Sequence, residues 1–464
     1  MLRSKSFYLW AIVVVTAILV LINIKNGHDW GGDFALYIEQ AEAVGNNLMN
    51  ELYEINHFTI ENSQKPPGPY LYPNGYPVLL APVYALFGLN FIALKIFTSL
   101  FFIFSLFLLY KIFEQFFDNI CYVYLTVIFI AFNFYYIIRC DALGPDIPYY
   151  FLSLATIYLM QRSKNYFTQV CLGMLICYSY FTRDIGIVLL PTLFVYQVFN
   201  SKTGTRKLLY NIVPYISFAL LYLLLKIIFP QKGGENHFAL LLSHLSVELI
   251  VSNILYYCKL IASALTINHI SIVVSFAIMS LVMIGLFLNL NKLLYIVVYV
   301  VGTVSVFIIW PSQQGMRFLF PVIPFSFFFF VEGYIYIAKK FKQEKNGKRL
   351  LIVYAALFAL INFGIFVYRP FVAKSNECYT DEMKGIYSYI SNNVPYNKII
   401  AFKKPRVLRL FTGRQSICVD WEHFDDYCAE YMLIENSKIT TPLSEKYILV
   451  RSFENYSLIV KNER

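Results

Sequence analysis

The sequence predicts a mainly α-helical, polytopic membrane protein with a small C-terminal α/β extracytoplasmic domain. Of its 464 residues, 58% are hydrophobic and only 14% are charged. Apolar runs recur along the chain that approach the length of about 20 residues a helix needs to cross a bilayer. A soluble protein could not bury this much apolar surface. From about residue 371 onward charged residues become frequent, and no later run could span a membrane.

The predicted spans follow from these apolar runs and from the charges between them. The net charge of +10 collects in short connections, as orientation signals do, and does not indicate nucleic-acid binding. With the N-terminus in the cytoplasm, fifteen lysines and arginines fall in connections on that side. The number of spans is odd, so we expect the C-terminal tail outside a bacterial inner membrane. We place about eleven transmembrane helices, at residues 7–24, 90–111, 120–138, 147–161, 166–182, 185–199, 208–230, 270–289, 293–310, 318–337 and 350–368.

Two further apolar stretches are interpreted as helices that lie on the outer interface. Residues 77–88 are too short to cross alone, and residues 236–267 mix polar side chains into apolar sequence. Counting both as spans would keep the orientation of the tail. It would also move Arg139, Asp146 and Arg183 to the inner side.

The long first outer loop, residues 25–89, carries the residue on which the functional prediction depends. Asp33 follows two glycines, directly after the first span. The apolar spacing after it predicts a short amphipathic helix suited to the membrane interface. Asp33 is either a catalytic carboxylate or the N-cap of that helix, since aspartate caps helices well. Farther along the loop, the density of proline and glycine at 65–77 excludes a helix there.

We divide the chain into a transmembrane catalytic module, 1–370, and a soluble α/β domain, 371–464. In the absence of a nucleophile motif or phosphate loop, the domain is expected to support catalysis or bind an acceptor. One disulfide among its three cysteines is an option outside the cytoplasm. Its predicted elements are helices at 380–392, after Pro405 and near 425–435, and strands at 398–402, 416–419, 446–451 and 457–461.

Carboxylates and arginines at the outer face suit a substrate with a lipid tail and a charged head. A polyprenyl-phosphate sugar fits this description. Transfer of its sugar to a hydroxyl needs a general base, and the departing phosphate needs cations or a divalent metal held by carboxylates. The predicted base is Asp33. The candidate phosphate ligands are Arg183, Arg317 and Lys65, and the candidate acceptor-binding residues are His57, Tyr37 and Tyr76.

The chain resembles the GT-C glycosyltransferases, in the bacterial branch related to protein O-mannosyltransferases and the lipid A aminoarabinose transferase. The resemblance is carried by GDFALYI at 32–38, YPNGYPVLL at 72–80, PDIPY at 145–149, TR at 182–183 and GMRFLFP at 315–321. It implies that Asp33 is the catalytic base and that Asp146 contributes to a metal or donor site. The mechanism that we expect is a transfer with inversion at the anomeric carbon. Many relatives have a second acidic residue where this chain has Phe34. Because phenylalanine cannot bind a metal ion, this difference argues against a metal-dependent site.

Two other functions are alternatives to a transferase. A polytopic protein with polar groups at one face could be a lipid-linked oligosaccharide transporter or flippase, but ionisable groups here gather at span ends rather than mid-membrane. An O-antigen ligase or polymerase is closer in chemistry. We would expect its large outer loop late in the chain, whereas the large loop here comes first.

Overall fold

The computed structural model describes residues 2–200, 205–229, 245–266, 271–373, 376–439 and 446–462. Within these residues the chain forms two units. The helical unit consists mainly of Met1–Ile24, Lys95–Ile228 and Asn236–Ala373, and the loop–tail unit consists mainly of Lys25–Leu94 and Lys374–Arg464. The predicted boundary at residue 370 kept the first outer loop with the transmembrane module, whereas the structure packs this loop with the C-terminal tail.

In its described residues, the helical unit contains mainly apolar helices of different lengths. Its helices are Leu2–Asn23, Phe91–Phe113, Ile120–Ala131, Phe134–Cys140, Asp146–Arg162, Tyr166–Thr182, Leu189–Asn200, Thr205–Ile228, Val247–Ala264, Ile272–Asn289, Leu294–Ile309, Ile323–Lys340 and Glu344–Val372. Five helices in the described part of the chain are long and apolar enough to cross a membrane, or six if one bent pair is a single span. Several other predicted spans contain shorter helices, so the total of about eleven stays a prediction.

Two predicted spans differ in detail from the structure. The stretch at 120–138 is two helices bent by 48° at a break. Asn133 causes the break, because its side chain caps the second helix and its amide donates to the carbonyl of Ala264 at 3.0 Å. The helix Val247–Ala264, in a stretch predicted to lie on the interface, is itself long and apolar enough to span.

Small residues allow two helices of this unit to pack closely. Gly285 faces the backbone carbonyl of Phe329, and Gly333 faces that of Leu281, so that a methyl group at either glycine would overlap the facing backbone. Small residues at helix contacts increase van der Waals packing inside a membrane, where there is no hydrophobic driving force between helices. This contact fixes Ile272–Asn289 against Ile323–Lys340.

The loop–tail unit combines three loop helices with a five-stranded mixed sheet. The loop supplies Asp33–Asn46, Met49–Glu61 and Gly75–Phe87, and the tail supplies Asp381–Asn393 and Pro405–Thr412. The sheet order is β2-β1-β3-β5-β4; β1 is parallel to β2 and β3, and β5 is antiparallel to β3 and β4. The strands are β1 Ile400–Ala401, β2 Ser416–Ile417, β3 Tyr431–Glu435, β4 Tyr447–Ser452 and β5 Tyr456–Lys461.

Most predicted tail elements are confirmed, and one is wrong. The helix expected near 425–435 is a 3-10 helix at Trp421–Asp426 followed by strand β3. This segment is extended because it pairs with β1 on one side and β5 on the other. The cysteines Cys378, Cys418 and Cys428 are free, so the tail has no disulfide among the residues described.

The helix that begins at Asp33 is not an amphipathic interfacial helix, contrary to prediction. We call this element, Asp33–Asn46, the carboxylate helix. Every residue from Phe34 to Ala41 is buried, including the polar Glu39 and Gln40. The helix Gly75–Phe87 and the tail helix Pro405–Thr412 pack against it. The polar side chains that an amphipathic helix would expose to solvent therefore make buried contacts inside the unit.

Candidate functional site

Asp33 lies at the start of the carboxylate helix but does not cap it. Gly32 is the N-cap residue and Asp33 is the first helical residue, with no side-chain cap hydrogen bond at this end. The phenol of Tyr72 donates a hydrogen bond of 2.7 Å to Oδ1 of Asp33. The N-cap alternative is therefore wrong. The half-buried carboxylate is held by a side chain 39 residues away, while the N-terminal dipole of the helix favours its negative charge.

Tyr72 is itself fixed by hydrogen bonds from the same helix. The Gln40 side chain donates to the Tyr72 carbonyl at 2.9 Å and accepts from the Tyr72 amide at 3.0 Å. The Tyr72 ring stacks on Tyr37, with ring centroids 4.6 Å apart, and Tyr37 meets Tyr76 edge-on. Tyr37 and Tyr76, which we predicted to bind the acceptor, are buried. In the structure Tyr37 packs against the Tyr72 ring, and Tyr76 packs against Tyr37. Their role in binding the acceptor stays a prediction.

The remaining two loop candidates lie on the surface of the loop–tail unit. His57 is exposed, and its ring stacks on Tyr70 with centroids 5.4 Å apart. The ammonium of Lys65 lies 2.5 Å from a carboxylate oxygen of Asp420. This hydrogen bond raises the pKa of Lys65 and lowers the pKa of Asp420. Lys65 therefore joins the loop to the tail, and its predicted phosphate contact remains untested.

Asp146 lies in the helical unit, where two arginines share its carboxylate. It is the first residue of helix Asp146–Arg162 and is almost fully buried. Arg139 forms an ion pair with one carboxylate oxygen and Arg183 with the other. Gly144 allows the first of these contacts, since a Cβ there would lie 2.6 Å from the Arg139 guanidinium. The structure thus brings two predicted residues, Asp146 and Arg183, together with an arginine that was not assigned a role.

Arg317 joins this group through an aromatic ring. The guanidinium carbon of Arg183 lies 4.2 Å from the ring centroid of Phe318, and that of Arg317 lies 5.5 Å from the same centroid. A side-chain oxygen of Gln314 accepts a hydrogen bond of 3.1 Å from Arg317. Arg139 and Arg183 pair with the Asp146 carboxylate, and Arg317 shares the Phe318 ring with Arg183, so these four residues together carry three positive charges and one negative charge. We call this group of Arg139, Asp146, Arg183 and Arg317 the arginine cluster; its charge suits a phosphate.

The residues of this cluster do not fit a divalent metal. Both carboxylate oxygens of Asp146 face guanidinium groups, which repel a cation and occupy the atoms that would bind it. In the described ranges, no three His, Cys, Asp or Glu side chains are placed to hold a metal ion. We therefore derive no reaction step through a metal.

The structure also contains buried charges that sequence reasoning missed. In the helical unit, fully buried Lys95 donates to Asp141 at 2.8 Å, and Arg369 lies 3.8 Å from the same carboxylate. The sequence did contain a signal for Lys95, because a lysine inside an apolar helix usually pairs with another polar or charged group. In the loop–tail unit, Arg406 and Arg409 are buried one helical turn apart. No sequence pattern distinguished them from surface arginines.

These features belong to a helical fold that is also found in solved structures of other proteins. The similar solved structures include ArnT from Cupriavidus metallidurans in the apo state, with a TM-score of 0.58 and 10% identity over 98% of each chain. ArnT bound to undecaprenyl phosphate matches with the same TM-score and 11% identity, over 99% of this chain and 98% of that chain.

A third solved structure has a similar fold. The archaeal oligosaccharyltransferase AglB from Archaeoglobus fulgidus, in complex with an inhibitory peptide and a dolichol-phosphate, matches with a TM-score of 0.58 and 10% identity. The match covers 93% of this chain and 70% of that chain. No family model and no curated protein sequence matches the chain. The predicted resemblance to GT-C proteins is therefore confirmed for the fold.

Proposed function

We propose that this protein transfers a sugar from a polyprenyl-phosphate donor to an acceptor hydroxyl at the outer face of a bacterial inner membrane. The N-terminus lies in the cytoplasm and the loop–tail unit lies outside it. The fold supports this proposal, since similar structures were solved with undecaprenyl phosphate or a dolichol-phosphate bound.

The observation that carries the proposal is the environment of Asp33. Its carboxylate is half-buried and accepts a hydrogen bond from the Tyr72 phenol. A general base needs a fixed orientation toward the proton that it removes, and this bond supplies it. Gln40 and Tyr37 hold Tyr72 in turn, so the orientation depends on a packed set of side chains.

The proposed reaction is a single displacement. Asp33 takes the proton of the acceptor hydroxyl while that oxygen attacks the anomeric carbon. The bond from this carbon to the phosphate oxygen breaks, and polyprenyl phosphate leaves with the bonding electrons. Attack opposite to the leaving group inverts the configuration of the sugar.

The departing phosphate requires cations, and the predicted phosphate ligands Arg183 and Arg317 belong to the arginine cluster of the helical unit. Charge that develops on the departing phosphate is stabilised by guanidinium groups already held in place. Asp146 keeps Arg139 and Arg183 oriented in the absence of substrate, and Phe318 supports Arg183 and Arg317. The four residues of the cluster carry more positive than negative charge, which suits an anionic phosphate.

A deletion strain tests the proposed function. Mass analysis of surface glycans and lipids identifies the product that the strain lacks and that the intact gene restores. At matched expression, Asp33→Asn should restore none of it, because the amide cannot accept the proton. Glu54→Gln, at an exposed carboxylate in the same loop, is the control and should restore it fully. Restoration by Asp33→Asn would remove the base assignment.

A further inference from the structure

The tail helix Pro405–Thr412, which we call the arginine helix, sends two buried arginines into the first outer loop. Arg409 forms a two-pronged ion pair with Glu39, at 2.8 and 2.5 Å, and also donates to Asn56 and Thr59. Glu39 belongs to the carboxylate helix, which begins at Asp33. One arginine of the tail therefore fixes the helix that carries the proposed base.

Arg406, one turn earlier, holds the proline-rich segment of the same loop. Its side chain is 1% exposed, and its guanidinium donates to the carbonyls of Pro67 and Pro69 at 3.1 and 2.5 Å. Prolines lack an N–H, so this segment cannot form a regular hydrogen-bonded structure of its own. Arg406 supplies bonds that fix the segment just before Tyr72.

Gly68 shows how closely the guanidinium approaches the Tyr72 phenol. A Cβ at Gly68 would lie 3.4 Å from Nη1 of Arg406 and 3.6 Å from the phenol oxygen of Tyr72. Gly68 has φ of +117°, a conformation that other residues rarely adopt. The Arg406 guanidinium and the Tyr72 hydroxyl thus lie on either side of the space beside Gly68, and this hydroxyl donates its hydrogen bond to Asp33.

The electrostatics agree with this arrangement. Burial lowers the pKa of the Arg406 guanidinium, and Tyr72, Glu39 and Asp33 are among the groups that oppose this effect. The guanidinium is therefore within electrostatic reach of the proposed base as well as in contact with its supporting loop.

We propose that Arg406 is a positioning residue for Asp33 and that the tail thereby completes the catalytic unit. By holding the Pro67 and Pro69 carbonyls, Arg406 sets the place at which the Tyr72 phenol meets the carboxylate. This inference rests on the proposed function for its catalytic meaning, while the contact that it invokes can be measured separately.

The experiment compares Arg406→Gln with Arg414→Gln in the full-length protein. Arg414 is a matched control, because its guanidinium donates to three backbone carbonyls within the tail, those of Ser391, Val394 and Thr412. Both variants lose hydrogen bonds from arginine to carbonyls, so both should lower the unfolding temperature. We measure that temperature, the hydrogen–deuterium exchange of peptides covering 65–77, and the rate of product formation in membrane vesicles.

Only Arg406→Gln should raise exchange at 65–77. Its rate should fall about 10- to 100-fold below that of Arg414→Gln, as expected when a catalytic group is displaced by roughly 1 Å. Arg406→Lys, which keeps the charge and can reach one carbonyl, should recover part of the rate. Equal rates in the two glutamine variants, or unchanged exchange at 65–77 in Arg406→Gln, would overturn the inference.

Two further variants separate the possible failures. If Arg406→Gln does not fold, Gly68→Ala places a methyl group between the Arg406 guanidinium and the Tyr72 phenol. Its rate should fall while the tail keeps its contacts, and a wild-type rate would refute the inference. Full activity of Asp33→Asn would instead refute the proposed base, whatever the exchange data show for Arg406.

Discussion

Replacing Arg409 with methionine would leave a carboxylate buried without its cation. Arg409 and Glu39 have side chains that are 8% and 9% exposed, and the guanidinium makes two of its hydrogen bonds to Glu39. Removing one partner of a buried ion pair typically costs about 3–5 kcal/mol. For a unit of this size, each kcal/mol lowers the unfolding temperature by roughly 2–4 °C. We therefore expect a decrease of about 6–20 °C in Arg409→Met.

The double variant Glu39→Met/Arg409→Met tests whether the unpaired carboxylate of Glu39 causes the loss of stability. Replacing both charges with apolar side chains removes the desolvation cost of each, so the double variant should be more stable than Arg409→Met. It should not exceed the wild type by much, because buried Asn56 and Thr59 lose their hydrogen bonds from Arg409. The assay is the unfolding temperature of the full-length protein in detergent, followed by intrinsic fluorescence. Lys384→Met, in an exposed ion pair with Asp381, is the control and should change little.

Two results would refute this reasoning. One is an unfolding temperature of Arg409→Met within about 3 °C of that of the wild type, since such a small difference corresponds to a loss of only roughly 1 kcal/mol. The other is a double variant whose loss equals the sum of the two single losses, which would mean that the two side chains do not interact.

Two other predictions concern the arginine cluster and the surface of the loop–tail unit. Gly144→Ala places a methyl group 2.6 Å from the Arg139 guanidinium, so Arg139 must move away. The affinity of the protein for undecaprenyl phosphate should therefore weaken severalfold. The measurement is the increase in unfolding temperature that this ligand causes. Lys65→Met removes the partner that lowers the pKa of Asp420. Because that pKa is lowered in the folded protein, the ion pair stabilises the protein above the usual aspartate pKa, and its contribution disappears as pH falls through the lowered value. The wild type should therefore unfold at a higher temperature than Lys65→Met near neutral pH, and the difference should vanish in acid.

The control for Gly144→Ala comes from the same unit. Gly364→Ala adds a methyl group with no atom within 4 Å, and it should bind undecaprenyl phosphate as the wild type does. Equal affinity in Gly144→Ala would contradict a role for Arg139 in phosphate binding. A difference between Lys65→Met and the wild type that persists unchanged in acid would contradict the assignment to the Asp420 carboxylate.

The sequence predicted elements whose signals are local. Apolar runs located most helices of the helical unit, and the helix after Pro405 and strands β4 and β5 follow from propensity and spacing. The stretch 425–435 failed because β3 is stabilised by neighbouring strands, and that information lies elsewhere in the chain. Asp33 was selected as a candidate because it directly follows the first predicted span. This position can be recognised without knowing which residues contact Asp33.

The partners of Asp33 could not be predicted, since they are distant in sequence. Tyr72 is 39 residues from Asp33, and Arg409 is 370 residues from Glu39. Glu39 and Gln40 have the spacing of a solvent-facing side of a helix, and periodicity cannot distinguish exposed charges from buried, paired ones. The tail was assigned a supporting role for lack of catalytic motifs, although its arginines contact the loop that holds Asp33.

The close packing of Lys25–Leu94 with Lys374–Arg464 in one unit has a topological consequence. Two segments that fold together must emerge on the same side of the bilayer, so the chain between them must traverse it an even number of times. If Val247–Ala264 traverses it in addition to the predicted spans, the parity requires one more crossing or one fewer elsewhere. The order of synthesis also matters, because Lys25–Leu94 is made early and can complete its fold only after Lys374–Arg464 has been made.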